Sequence, residues 1–141
     1  MRITQIELKA FRSYQKTTIS TDAPRVVFGG VNGSGKTSIR DAVLWTLTGA
    51  CRGTDAKGAG AATLIPEGLS AAEASVEIQG LGAVARKYAE GAGGFRVDGF
   101  TGTGQAQFQA LYQHLGTTPA FVAAALDSSV FLDLTHVEAK A

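Results

Sequence analysis

Ile6, Leu8 and Ala10 alternate with Glu7 and Lys9 near the start of the chain. A period of two predicts a strand with one buried face. Residues 17–20 are its expected hairpin partner, across a turn-prone stretch at 12–16. Asp22-Ala23-Pro24 breaks the pattern. Val26-Val27-Phe28 is then a short continuous apolar run, as expected of a strand buried on both faces. From residue 35 to 48 the period becomes helical. Ile39, Ala42, Val43 and Thr46 form one stripe, and Leu44 and Leu47 widen it. A helix apolar on so much of its circumference packs on more than one side. Gly49 suits the position just past its end.

The second half returns to short strands. Residues 51–62 are rich in glycine and alanine and read as a mobile loop. Ala74, Val76 and Ile78 alternate with Ser75, Glu77 and Gln79. A turn at 80–82, a strand at 84–88, a second turn at 90–94 and a strand at 95–98 complete an antiparallel meander over about 74–98. Phe108, Leu111, Tyr112 and Leu115 have helical spacing, so 104–115 is expected to be an amphipathic helix ending at Gly116. Thr118-Pro119 opens a further short helix, carrying helical structure to about Leu126. Thr135-His136-Val137-Glu138 is a capping box and announces another helix from about 135. The reading therefore expects this chain to be part of a longer protein.

Composition narrows the classes. The chain has 141 residues, 45% of them hydrophobic, which suits one domain with a real core. A net charge of +1 excludes a strongly basic arm and an acidic tail. A single cysteine, Cys51, excludes an internal disulfide framework. No apolar run reaches the roughly 20 residues of a membrane span, and the N-terminus lacks a signal-peptide pattern. A cytoplasmic location without membrane attachment is expected. Glycine is the outlier, with 18 residues against an average near 7%. Gly29, Gly30, Gly33 and Gly35 cluster directly after the apolar 26–28 run.

That cluster carries the chemistry. Gly30-Val31-Asn32-Gly33-Ser34-Gly35-Lys36-Thr37 matches G-x-x-x-x-G-K-[ST] between an expected strand and an expected helix. The glycines permit backbone conformations that a Cβ forbids. Backbone N–H groups from about Asn32 to Lys36, Ser34 included, then converge on phosphate oxygens. The helix N-terminus adds partial positive charge. Lys36 supplies a compact charge to the β- and γ-phosphates, and Thr37 a hydroxyl ligand for Mg²⁺. Ser38 is placed to bond the α-phosphate. The implied ligands are ATP and Mg²⁺.

The paired strands before the loop, Phe11-Arg12-Ser13-Tyr14, and the stretch from Gly30 to Gly49 together resemble the N-terminal ATPase head of the SMC-like DNA-repair family. Its members include SbcC-type, RecF-type and RecN-type proteins. Leu64-Ile65-Pro66-Glu67-Gly68 and the strand after it continue the resemblance. Phe131 to Lys140 looks like the family's approach to a coiled coil. The resemblance implies the N-terminal half of an ABC-type P-loop NTPase head, an α/β fold with an antiparallel β meander and short helices. It implies ATP held between two heads, in ATP-driven engagement and hydrolysis that serve DNA repair or recombination. The implied partners are the C-terminal half of the head, a second head in a homodimer, DNA and a nuclease subunit. Arg12 matches the family's nucleotide-reaching Arg after the first strand. Ser13 and Tyr14 read as structural.

Two departures stand out. Where the family places a Gln that helps hold Mg²⁺, this chain has Ser128, with Asp127 beside it, as the available oxygen ligand. No Leu-Ser-Gly-Gly signature and no apolar strand ending in Asp-Glu follows the P-loop. Hydrolysis needs a positioned water and base, so no catalytic residue is assigned and the chain alone is expected to be inactive. A small-molecule P-loop kinase and a truncated nucleotide-binding module without turnover are the rival readings. The remaining candidates read as structural. Gln105, Gln107, Gln109 and Gln113 are expected on a polar helix face, and Asp41 as a helix-face charge. Trp45 reads as core or an interface anchor. His114 suits a helix C-terminus, and Arg86 and Lys87 point to opposite faces of their strand.

Overall fold

The computed structural model describes residues 2–20, 36–49, 64–89 and 92–126, with the side chains of Lys36 and Thr37 left aside. Five strands form one antiparallel sheet: β1 (Ile3–Phe11), β2 (Tyr14–Ser20), β3 (Ala71–Ile78), β4 (Gly82–Ala89) and β5 (Ala92–Val97), in the order β2-β1-β3-β4-β5. Three helices accompany it: α1 (Lys36–Thr48), α2 (Gly104–Leu115) and α3 (Pro119–Leu126).

Register carries the apolar alternation across the sheet. Ile6, Val76, Val84 and Val97 form one row of the core face. Leu8, Ala74, Arg86 and Phe95 form the next. A half-buried cation thus stands in an otherwise apolar row. α1 packs on β1, β3 and β4 on one side and on α3 on the other. That double packing accounts for its near-complete burial from Ile39 to Leu47, Arg40 excepted. Trp45 is sealed in the core, 5.7 Å from the Phe11 ring. Among the described residues no helix is long and apolar enough to cross a membrane.

Five expectations need correction. The first hairpin turn is far tighter than 12–16. Phe11 pairs with Tyr14, leaving Arg12 and Ser13 as a two-residue turn. Arg12 adopts a positive φ of 48° there, and its N–H donates to the Leu64 carbonyl at 2.7 Å. Two-residue hairpins favour positive φ at the turn, usually supplied by glycine. The alternation in β1 also breaks at Ala10, where φ is 55°, so that Phe11 rather than Ala10 is sealed.

The turn expected at 90–94 is shorter too. β5 begins at Ala92, and Gly93 and Gly94 lie within the ladder opposite Tyr88 and Lys87. Gln107 is buried rather than on a polar face. Its Oε1 accepts from the Val97 N–H at 2.8 Å, and its Nε2 donates to the Gly102 carbonyl at 2.9 Å. The side chain thereby completes the free edge of β5. Close approach of α2 to that edge depends on Gly104, where a Cβ would come within 3.3 Å of the Phe95 carbonyl oxygen. Asp41 is the fifth correction. It is 1% exposed, inside the packing rather than on a solvated face.

The 26–28 run, the 51–62 loop and the capping box at 135–138 lie outside the described residues.

Candidate nucleotide site

Helix α1 opens at Lys36, so Lys36, Thr37 and Ser38 form its first turn. No acidic residue stands in that turn. The unpaired N–H groups and the positive end of the helix dipole are thus not offset by a nearby carboxylate. Such an end suits an anion. Ser38 is half-buried. Gly30, Asn32, Gly33, Ser34 and Gly35 lie outside the described residues, as does Ser128.

The β1–β2 turn is tied directly to α1. Arg12 Nη1 donates to Asp41 Oδ2 at 2.6 Å. Asp41 lies on α1, little more than one turn past Lys36. A charge-assisted contact this short is strong when one partner is fully buried. Arg40 Nη2 lies 3.5 Å from Asp41 Oδ1, an ionic contact without hydrogen-bond geometry. Two cations therefore compensate one buried carboxylate. The pair brings the sequence-nominated Arg12 beside the helix that the phosphate loop opens. Among the described residues no group of three His, Cys, Asp or Glu forms a metal cluster.

The opposite end of α1 is built differently. Tyr112 Oη donates to the Leu47 carbonyl at 2.6 Å, and Arg86 Nε to the Thr46 carbonyl at 3.3 Å. The Arg86 guanidinium carbon lies 4.7 Å from the Phe95 ring centroid and 5.6 Å from that of Phe108. Burial lowers the Arg86 pKa to about 10, with the nearby Tyr112 pulling the other way. Gly49 ends the helix at φ 77°, and a Cβ there would press to 3.2 Å from Arg86 Nη1.

Sequence reasoning passed over Asp41, Arg86 and Gln107 as functional or structural anchors. A signal existed for the first two. Asp41 is a lone acid in an all-round apolar helix, and buried carboxylates are found paired. Arg86 shares the strand face of Val84 and Tyr88, so it belongs to the core side by alternation.

Residues 5–112 match the AAA domain family. No curated protein sequence matches the chain. Among solved structures, one described for ATP-driven dimerization and DNA-stimulated activation of SMC ATPases matches at a TM-score of 0.73 and 22% identity, covering 99% of this chain and 96% of that one. A second, the recombination mediator RecF with ATP, matches at a TM-score of 0.54 and 18% identity. It covers 73% of this chain, which spans only 28% of that protein. These likenesses establish the fold: the α/β fold of an SMC-like, ABC-type P-loop ATPase head, in its N-terminal segment. With most of its length matched, the chain belongs to the AAA domain family.

Proposed function

We propose that this chain binds Mg-ATP through residues 30–38 and supplies the N-terminal half of an SMC/SbcC-like ATPase head acting in DNA repair or recombination. One observation carries the reading: a complete G-x-x-x-x-G-K-[ST] motif opens α1, with the Arg12–Asp41 pair alongside. Backbone N–H groups of the loop and the first turn of α1 hold the phosphates. Lys36 neutralises charge on the β- and γ-phosphates. Thr37 would hold Mg²⁺ through its hydroxyl, and the ion would supply charge neutralisation to the bound phosphates. Ser128 is a further oxygen ligand. Asp41 is engaged by Arg12 and is not assigned to the metal.

Arg12 occupies a backbone conformation that disfavours a side-chain-bearing residue, and strained residues cluster at functional sites. We assign it to the nucleotide, steadied by Asp41. The solved SMC ATPase is described as dimerising with ATP and activated by DNA. By analogy, this half-head pairs with a C-terminal half, a second head and DNA, with a nuclease as a further partner. Turnover belongs to that assembly.

The test is ATP affinity of the Lys36→Ala chain, with folding checked by circular dichroism. Loss of binding in a folded variant is expected; unchanged affinity would overturn the assignment. Steady ATP turnover by residues 1–141 alone would overturn the half-site part of the reading.

A further inference from the structure

Arg86 borders a cleft of about 560 Å³. That size falls among small-molecule sites, roughly 300–1,000 Å³. Trp45, Phe95, Phe108 and Pro119 form its apolar walls, and Gln105 stands in the lining beside them. Arg86 spends one N–H on the Thr46 carbonyl and its flat faces on two rings. The terminal nitrogens Nη1 and Nη2 carry the other four N–H donors of a guanidinium. Among the described residues neither has a hydrogen-bond acceptor, and neither is sealed from solvent. Among the described residues no carboxylate pairs with Arg86. No carboxylate stands among the described lining residues.

A desolvated cation is ordinarily paired. Here the π faces and the negative end of α1 compensate part of its charge, and the fork of donors is left for something else. A planar guanidinium fork matches the two oxygens of a carboxylate. The aromatic walls match an apolar body rather than a strongly hydrated anion. We propose that the Arg86 cleft binds a small organic carboxylate, its two oxygens on Nη1 and Nη2 and its apolar part between Phe95, Phe108 and Pro119. The site is separate from the phosphate loop, at the other end of α1. Burial supports it: without a counter-anion, desolvation holds the Arg86 pKa at about 10. A bound carboxylate stabilises the charged form and moves that value upward.

The probe is benzoate, titrated into the full chain and read by NMR at the Arg86 Nε–H and the Gln105 amide. Saturable shifts at both are expected, with inorganic phosphate leaving Arg86 unmoved. Arg86→Lys keeps the charge but loses the fork, and benzoate should then bind roughly tenfold more weakly. Gln105→Glu places a rival carboxylate in the cleft lining without disturbing the core. It should weaken benzoate to a similar degree while the melting temperature holds or rises. Absence of saturable shifts at Arg86, phosphate binding there as tightly as benzoate, or undiminished benzoate affinity in Gln105→Glu each overturns the proposal.

Discussion

Two arginines hold the two ends of α1, by different physics. At the front, Arg12 leaves a strained turn and pairs with a sealed carboxylate at 2.6 Å. At the back, Arg86 comes from the middle of a strand and meets carbonyl and aromatic faces, with no carboxylate among the described residues. The back arrangement follows the helix dipole, since a cation suits the negative C-terminal end. The front arrangement has the opposite logic. A cation near a positive helix end is tolerable only if a carboxylate neutralises it, and Asp41 does so from within the helix. The positive end then stays available to a phosphate. Directional charge pairing thus sits at the end of α1 where the proposed nucleotide site lies. Diffuse compensation sits where the requirement is to anchor a helix on a sheet.

This contrast predicts that the front contact is the more costly to break. Arg12→Ala leaves the buried Asp41, among the described residues, with Arg40 at 3.5 Å. Breaking a buried pair typically costs 3–5 kcal/mol, and the remaining cation places this case near the lower end, about 3 kcal/mol. Asp41→Asn should cost less, because the Arg12 side chain is already 25% exposed and can turn to water. Urea unfolding of the two variants measures both. A larger loss from Asp41→Asn would mean that Asp41 serves something beyond Arg12.

Much of this fold was legible in the sequence because burial follows period. The stripe Ile39, Ala42, Val43 and Thr46 announces α1, and the spacing of Phe108, Leu111 and Tyr112 announces α2. What escaped was whatever departs from average residue behaviour. A two-residue turn carrying an arginine at positive φ looks like a longer loop. Gly93 and Gly94 look like a turn, yet they pair in the ladder because β4 continues opposite them. Gln107 and Asp41 look like surface residues, and only tertiary partners reveal them as buried. Residues 30–35 of the expected phosphate loop lie outside the described residues, so the fold bears only on the helix that follows them, which opens at Lys36 as expected. The Arg12–Asp41 pair spans 29 residues and needed the fold.

The second prediction concerns the back of α1. Arg86→Met keeps the stem, removes the charge, and leaves the Thr46 carbonyl without its donor. Cation–π contact with desolvated rings contributes about 2 kcal/mol, and the lost hydrogen bond about 1. Relief from burying an uncompensated charge offsets part of this. A net loss of about 2 kcal/mol is expected in urea unfolding, below that of Arg12→Ala. A variant as stable as the parent would show that desolvation cancels the aromatic contacts.

Tyr112→Phe is expected to have the smallest effect, about 1 kcal/mol near neutral pH, from the hydrogen bond to the Leu47 carbonyl. Its pH dependence separates the two partners at this end. Burial raises the Tyr112 pKa from 10.0 to about 12, with the Arg86 charge pulling it down. The folded state therefore holds the phenolic proton after the unfolded chain has released it. Tyr112 contributes fully below pH 10, and the contribution is lost as pH rises toward about 12. Arg86 has the opposite sign. Its folded pKa, about 10, lies below the ordinary guanidinium value, so the folded state gives up the proton first. Its contribution becomes more favourable as pH rises through that interval. The parent's advantage over Tyr112→Phe should therefore shrink between pH 10 and 12, while its advantage over Arg86→Met grows. Unfolding free energies of the three chains across alkaline pH read both slopes. Parallel curves would mean that neither group carries its charge in the environment described for the back of α1.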